Sequence, residues 1–114
     1  MSVHFKKFRF ESGLEAEGVH LLKKKYGRNI WCVKTSYKRV KDKRAEPDHY
    51  FCFFGFFVAV EFKNGETARK KHEALQDYVL MRIREANGFA FKCRTLDDLL
   101  SGFDRIHDLI VKNI

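Results

Sequence analysis

"HYFCFFGFFVAVEFK", residues 49–63, is the stretch on which the fold turns. Its aromatic and β-branched residues favour extended chain. Gly55 interrupts them where a tight reversal is needed, so the stretch reads as two strands joined in a hairpin. In the second strand Val58, Val60 and Phe62 fall on one face and Ala59, Glu61 and Lys63 on the other, because side chains alternate with period two. Apolar residues border the strand on both faces, which marks it as central. A carboxylate and an ammonium side by side on one face of such a strand need a reason beyond packing.

The segment leading into the hairpin supplies one. "KRVKDKRAEPD", residues 38–48, is a basic loop closed by Pro47 and Asp48 at the entrance of the first strand. Asp48 stands seven residues before Gly55 and Glu61 six after it, so antiparallel pairing brings the two carboxylates together beside Lys63. Adjacent carboxylates repel unless a positive charge sits between them, and a hard divalent cation with oxygen ligands is the usual solution. The Phe62 carbonyl is a candidate third oxygen from the same strand.

Further out the periods change. Leu14, Gly18, Leu21, Leu22 and Lys25 recur at helical spacing, which predicts a helix over about 14–26 with Gly27 as its stop. Residues 29–37, "NIWCVKTSY", read as a strand. The longest helical pattern covers about 67–86, with Ala68, His72, Leu75, Gln76, Val79, Leu80, Ile83 and Ala86 on one stripe opposite Arg69, Lys70, Asp77 and Arg84. Gln76 is a polar residue on that buried stripe. "NGFAFKCR", residues 87–94, predicts another strand, and Thr95 caps a further helix with Asp98 three residues on, close to a capping box. The element order implies an α/β fold, a sheet carrying helices on its faces.

The bulk numbers bound the rest. A chain of 114 residues with 45% hydrophobic content and twelve Phe supports one packed domain and not two. A net charge of +8 favours a polyanionic partner, nucleic acid in preference to a membrane surface. Cys32, Cys52 and Cys93 stand singly inside apolar runs, without the spacing of a zinc site or a disulfide framework, and read as packed thiols. With no signal-like segment or long apolar run, a cytoplasmic protein is expected. Trp31, Tyr50 and the Phe run over 51–57 are expected in the core. His49 falls on the strand face opposite the charged pair, and His72 lacks the second histidine of a zinc-protease helix; both read as structural.

Pro47-Asp48 followed by Glu61-Phe62-Lys63 resembles the signature of the PD-(D/E)XK nucleases. The stretch "ALQDYVLMRIREANGFAFKCRTLDDL" resembles, more narrowly, the virus-type replication-repair nuclease (VRR-NUC) branch, and Gln76 matches the glutamine that faces the active site there. The resemblance covers about residues 14–100. It implies a restriction-endonuclease-like αβββαβ core with a central mixed β-sheet flanked by helices, forming a single nuclease domain over 1–114. Residues 1–12 would be an arm or edge strand and 101–114 a C-terminal helix. It implies an Mg²⁺ or Mn²⁺ ion held by Asp48, Glu61, the Phe62 carbonyl and a glutamate of the first helix, Glu17 as the better match and Glu15 as the second. Asp48, Glu61, Lys63 and Gln76 would form the catalytic set. Lys34 on the next strand, with Lys38, Arg39, Lys41, Lys43 and Arg44 of the basic loop, would hold DNA phosphates. A homodimer cutting branched or duplex DNA is the implied form.

Overall fold

The hairpin forms as its sequence demands. In a computed structural model, which describes residues 11–35, 45–63 and 70–113, β2 (His49–Phe53) and β3 (Phe56–Phe62) pair antiparallel around Phe54 and Gly55. Both turn residues have positive φ, 50° and 84°, as a two-residue turn of the primed type requires. Phe54 adopts that conformation while its ring packs edge-on against Phe53, with centroids 4.9 Å apart.

Around the hairpin stand α1 (Glu11–Tyr26), β1 (Ile30–Lys34), α2 (Lys70–Glu85), β4 (Phe89–Cys93) and α3 (Leu96–Lys112). The sheet order is β1-β2-β3-β4, with β4 parallel to β3 and the other pairs antiparallel. The chain therefore has the αβββαβ order and mixed sheet expected from its sequence, with β3 inside the sheet. Gly27 follows α1 at φ 57°, where a side chain would be strained. Thr95 caps α3 by accepting from the Asp98 N–H at 3.0 Å, and Asp98 accepts in turn from the Arg94 N–H at 3.0 Å.

The core lies almost wholly on one face of the sheet. Leu14 and Leu22 of α1 and Leu96, Leu99, Phe103, Ile106 and Ile110 of α3 pack on Phe51, Phe53, Val58, Val60 and Phe62. Phe103 meets Phe51 and Phe53 edge-on, with centroids 4.9 and 5.0 Å apart, a preferred aromatic geometry. Gly18 lets the two helices approach, since a Cβ there would run into Leu99. The segment 101–112 is thus a central part of the core and not an appendage.

The opposite face is thinly covered. Leu80 of α2 is buried with Ala59 and Ala90, and Tyr50 and Ile83 pack at the margin. The helix sits rotated from the stripe expected for it: His72, Leu75 and Ala86 are exposed, while Glu73 is half-buried. On that flank Lys92 of β4 binds Asp77 at 2.6 Å and Glu73 at 2.9 Å, while Gln76, Val79, Leu80 and Ile83 of the expected stripe still face inward. With no described helix over β1 and β2 on this side, Trp31 and Phe57 are exposed, and Phe54 and Phe56 are exposed at the hairpin end, against the expectation that all four are core. Cys93 is buried, Cys32 half-buried and Cys52 exposed, so the expectation of packed thiols holds fully for Cys93 alone. The expectations for residues 1–10, for Lys38, Arg39, Lys41, Lys43 and Arg44, and for Thr67 to Arg69 lie outside the described residues.

Candidate active site

The hairpin register sets the site. His49 pairs with Val60, so Asp48 follows as the next position opposite Glu61. Asp48 Oδ2 accepts a hydrogen bond from the Phe62 N–H at 2.9 Å, which ties the carboxylate to the Glu61-Phe62-Lys63 segment. From the other side, the Thr35 N–H donates to the Asp48 carbonyl at 2.9 Å and the Thr35 hydroxyl donates to the Pro47 carbonyl. The Pro47-Asp48 corner is held by both of its neighbouring strands.

Glu61 and Lys63 emerge on the α2 face and are 4% and 5% exposed, with Gln76 above them at 7%. Charges that deep persist only when paired and hydrogen-bonded. Gln76 provides the link: its Nε2 donates to Glu61 Oε2 at 2.5 Å, and its Oε1 accepts from Lys63 Nζ at 2.6 Å. Lys63 Nζ also lies 3.5 Å from Glu61 Oε2. The Lys63 N–H donates to the Cys93 carbonyl at 2.8 Å, so the backbone of the lysine is anchored to β4.

A second charged group flanks Asp48 on the α1 side. Glu15 Oε2 binds His49 Nδ1 at 2.6 Å, and Glu15 Oε1 lies 3.2 Å from Lys34 Nζ. Burial pushes the Glu15 carboxyl up, but the His49 and Lys34 contacts outweigh it and leave it below its ordinary value. Burial alone would lower His49; its bonds to Cys32 and Glu15 prevail and raise the imidazole to about 9. The Asp48 carboxyl is pushed up, first by burial and then by the charge of Glu15, with the Phe62 N–H and Lys63 opposing. A cleft of about 250 Å³ opens beside this group, lined by Glu15, Ala16, Val19, Lys34 and His49.

Asp48, Glu61, Lys63 and Gln76 therefore share one end of the sheet, and Lys34 lies close by on Glu15. Of the two helix-one glutamates, Glu15 faces Asp48; Glu17 is half-exposed on another side of α1. Helical spacing did not decide between them, since Glu15 and Glu17 flank the Leu14, Gly18, Leu21, Leu22 and Lys25 stripe about equally on either side. His49, read as structural from its strand face, is the buried partner of that glutamate. Among the described residues no group of three or more His, Cys, Asp or Glu side chains is arranged to hold a metal ion.

A mixed sheet in αβββαβ order is a restriction-endonuclease-like fold. Within that class the chain has the fold of a VRR_NUC domain: a solved structure so described aligns with a TM-score of 0.55 at 18% identity, over 79% of this chain and 94% of that one. No protein-family model and no curated protein matches the sequence.

Proposed function

We propose that this protein is a metal-dependent endonuclease that hydrolyses DNA phosphodiester bonds, acting on branched DNA with little sequence selectivity. The observation that carries the reading is the buried Glu61–Gln76–Lys63 bridge beside Asp48. Binding nucleic acid alone gives no reason to bury two carboxylates where phosphates must approach, whereas phosphodiester hydrolysis does.

The donor set suits Mg²⁺ or Mn²⁺. Asp48, Glu61 and the Phe62 carbonyl are all hard oxygen donors, and Mg²⁺ is commonly held through one or two carboxylates while keeping several waters. The raised Asp48 carboxyl reflects negative charge crowded by Glu15 and burial, which a cation relieves. When bound, such an ion makes a water nucleophilic near neutral pH and polarises the phosphate. Lys63 is held by Gln76 so that its ammonium orients the attacking water and faces the charge that develops on phosphorus oxygens. Gln76 bridges Glu61 and Lys63 and so fixes the orientation of both beside their direct 3.5 Å contact. Glu15, fixed by His49 and Lys34, adds the helix-one carboxylate in place of Glu17.

Lys38, Arg39, Lys41, Lys43 and Arg44 precede Asp48 in the chain and, with Lys34, would grip phosphates without reading bases. A homodimer would present two such sites to a substrate cut on both strands.

The test is a gel assay of wild type and Asp48→Ala on four-way junction, flap, single-stranded and duplex DNA with Mg²⁺, Mn²⁺ or EDTA. Metal-dependent cutting by wild type, lost in the variant, is the expected result. Binding without cutting on every substrate would replace the nuclease with a non-catalytic DNA-binding module.

A further inference from the structure

The thinly covered face of the sheet carries a surface that the catalytic set does not use. Trp31 pairs across Cys52 to Phe57, and Val33 pairs across Tyr50 to Ala59, so all of these side chains project from one face. Trp31 is 64% exposed, Phe57 45% and Val33 40%. Tyr50 and Phe57 pack ring to ring with centroids 5.1 Å apart. On the β4 side α2 is tied down by Glu73 and Asp77 on Lys92, and its Leu80 packs with Ala59, Ala90 and, at the margin, Tyr50. Trp31, Val33, Cys52, Tyr50 and Phe57 make one largely apolar patch on this face of the sheet.

The patch runs toward the site. Glu61 lies on the same face of β3 as Phe57, four residues on and about 13 Å along the strand. A net charge of +8 on each copy opposes stacking this face against its own image and attracts a polyanion. Flat aromatic side chains exposed on a basic protein suit nucleobases, whose π-faces stack on Trp and Phe whatever their identity.

We propose that Trp31 and Phe57 form a stacking platform for unpaired nucleotides of the substrate, so that a single-stranded tail lies along the β1–β2 face with its backbone entering the Asp48–Lys63 site. This rests on the nuclease reading and deepens it: a duplex cannot offer exposed base faces to the platform, whereas the single strand of a flap or splayed end can.

Trp31 is the sole tryptophan of the chain, which makes it a reporter of its own occupancy. The experiment titrates Asp48→Asn protein, so that nothing is cut, with an oligothymidylate single strand and with a duplex of the same length. Tryptophan emission is read alongside the anisotropy of labelled DNA. The expected result is quenching by the single strand, with Trp31→Ala and Phe57→Ala each weakening single-strand binding about tenfold and duplex binding little. Unchanged emission at saturating oligonucleotide, or equal loss of both affinities in Trp31→Ala, overturns the proposal. So does emission that varies with protein concentration alone, which would mean that a second copy covers the face. Failure of the platform leaves metal-dependent cutting by wild type intact, whereas failure of the nuclease reading abolishes cutting whatever Trp31 does.

Discussion

The Phe62 N–H donates to Oδ2 of Asp48 at 2.9 Å, so the acid at the start of β2 is positioned by the backbone of the strand that carries Glu61 and Lys63. An amide in place of the carboxylate can still accept that bond through its oxygen but cannot supply an anion. Asp48→Asn is therefore expected to retain the wild-type melting temperature within a few degrees while metal-dependent cleavage disappears. A gel assay and a thermal melt on the same preparation check both halves; cleavage that survives would remove Asp48 from the catalytic set.

Gln76 is the hinge of the buried charges, since its amide bonds both Glu61 and Lys63. Truncation to alanine removes two hydrogen bonds to charged groups and frees the side chains of the Lys63–Glu61 pair, 3.5 Å apart, to reorient. The loss in stability is expected on the order of 1–3 kcal/mol, with cleavage reduced at least tenfold and DNA binding largely kept. Denaturant melts and single-turnover cleavage measure the two effects; unchanged cleavage would reduce Gln76 to a packing residue.

The hairpin and the Asp48–Glu61 approach were legible because their causes are local. Gly55 supplies a positive φ, and antiparallel pairing follows by counting from it. For α2 the periodicity placed Gln76, Val79, Leu80 and Ile83 inward but missed Glu73, which meets Lys92, a residue on a later strand whose charge has no signature in the helix periodicity. Trp31 and Phe57 read as core by residue type, yet burial depends on which element covers a face, and no described helix covers β1 and β2 there. Glu15 could not be told from Glu17 by helical phase, because the two flank the stripe on either side and the His49 contact that selects Glu15 joins residues 34 positions apart.

Glu15 and Glu17 can be separated by parallel substitution. Glu15→Gln keeps a hydrogen-bonding oxygen for His49 but removes its negative charge from a buried imidazole and from Lys34. Lower activity and a reduced melting temperature are expected for Glu15→Gln, while Glu17→Gln should match wild type in both. Cleavage rates across a range of Mg²⁺ concentrations decide the matter, and a selective defect in Glu17→Gln would reverse the assignment.

Away from the site, Asp104 on α3 joins the two core helices by accepting from Lys25 Nζ at 2.6 Å and from Tyr26 Oη at 2.7 Å. The Lys25 contact is the main cause that holds the Asp104 carboxyl below its ordinary value, with burial opposing it. A group depressed in the folded state stabilises above its unfolded pKa, and that contribution is lost as pH falls through the folded one. Both charged side chains are about half exposed, so solvent screening limits the effect to about 1 kcal/mol or less. Asp104→Asn is expected to melt slightly below wild type at neutral pH, with the difference shrinking as the solution is acidified below the ordinary carboxylate range. Melting curves of the two proteins from neutral to acidic pH test this, and a difference independent of pH would assign the effect to packing rather than to the charge on Asp104.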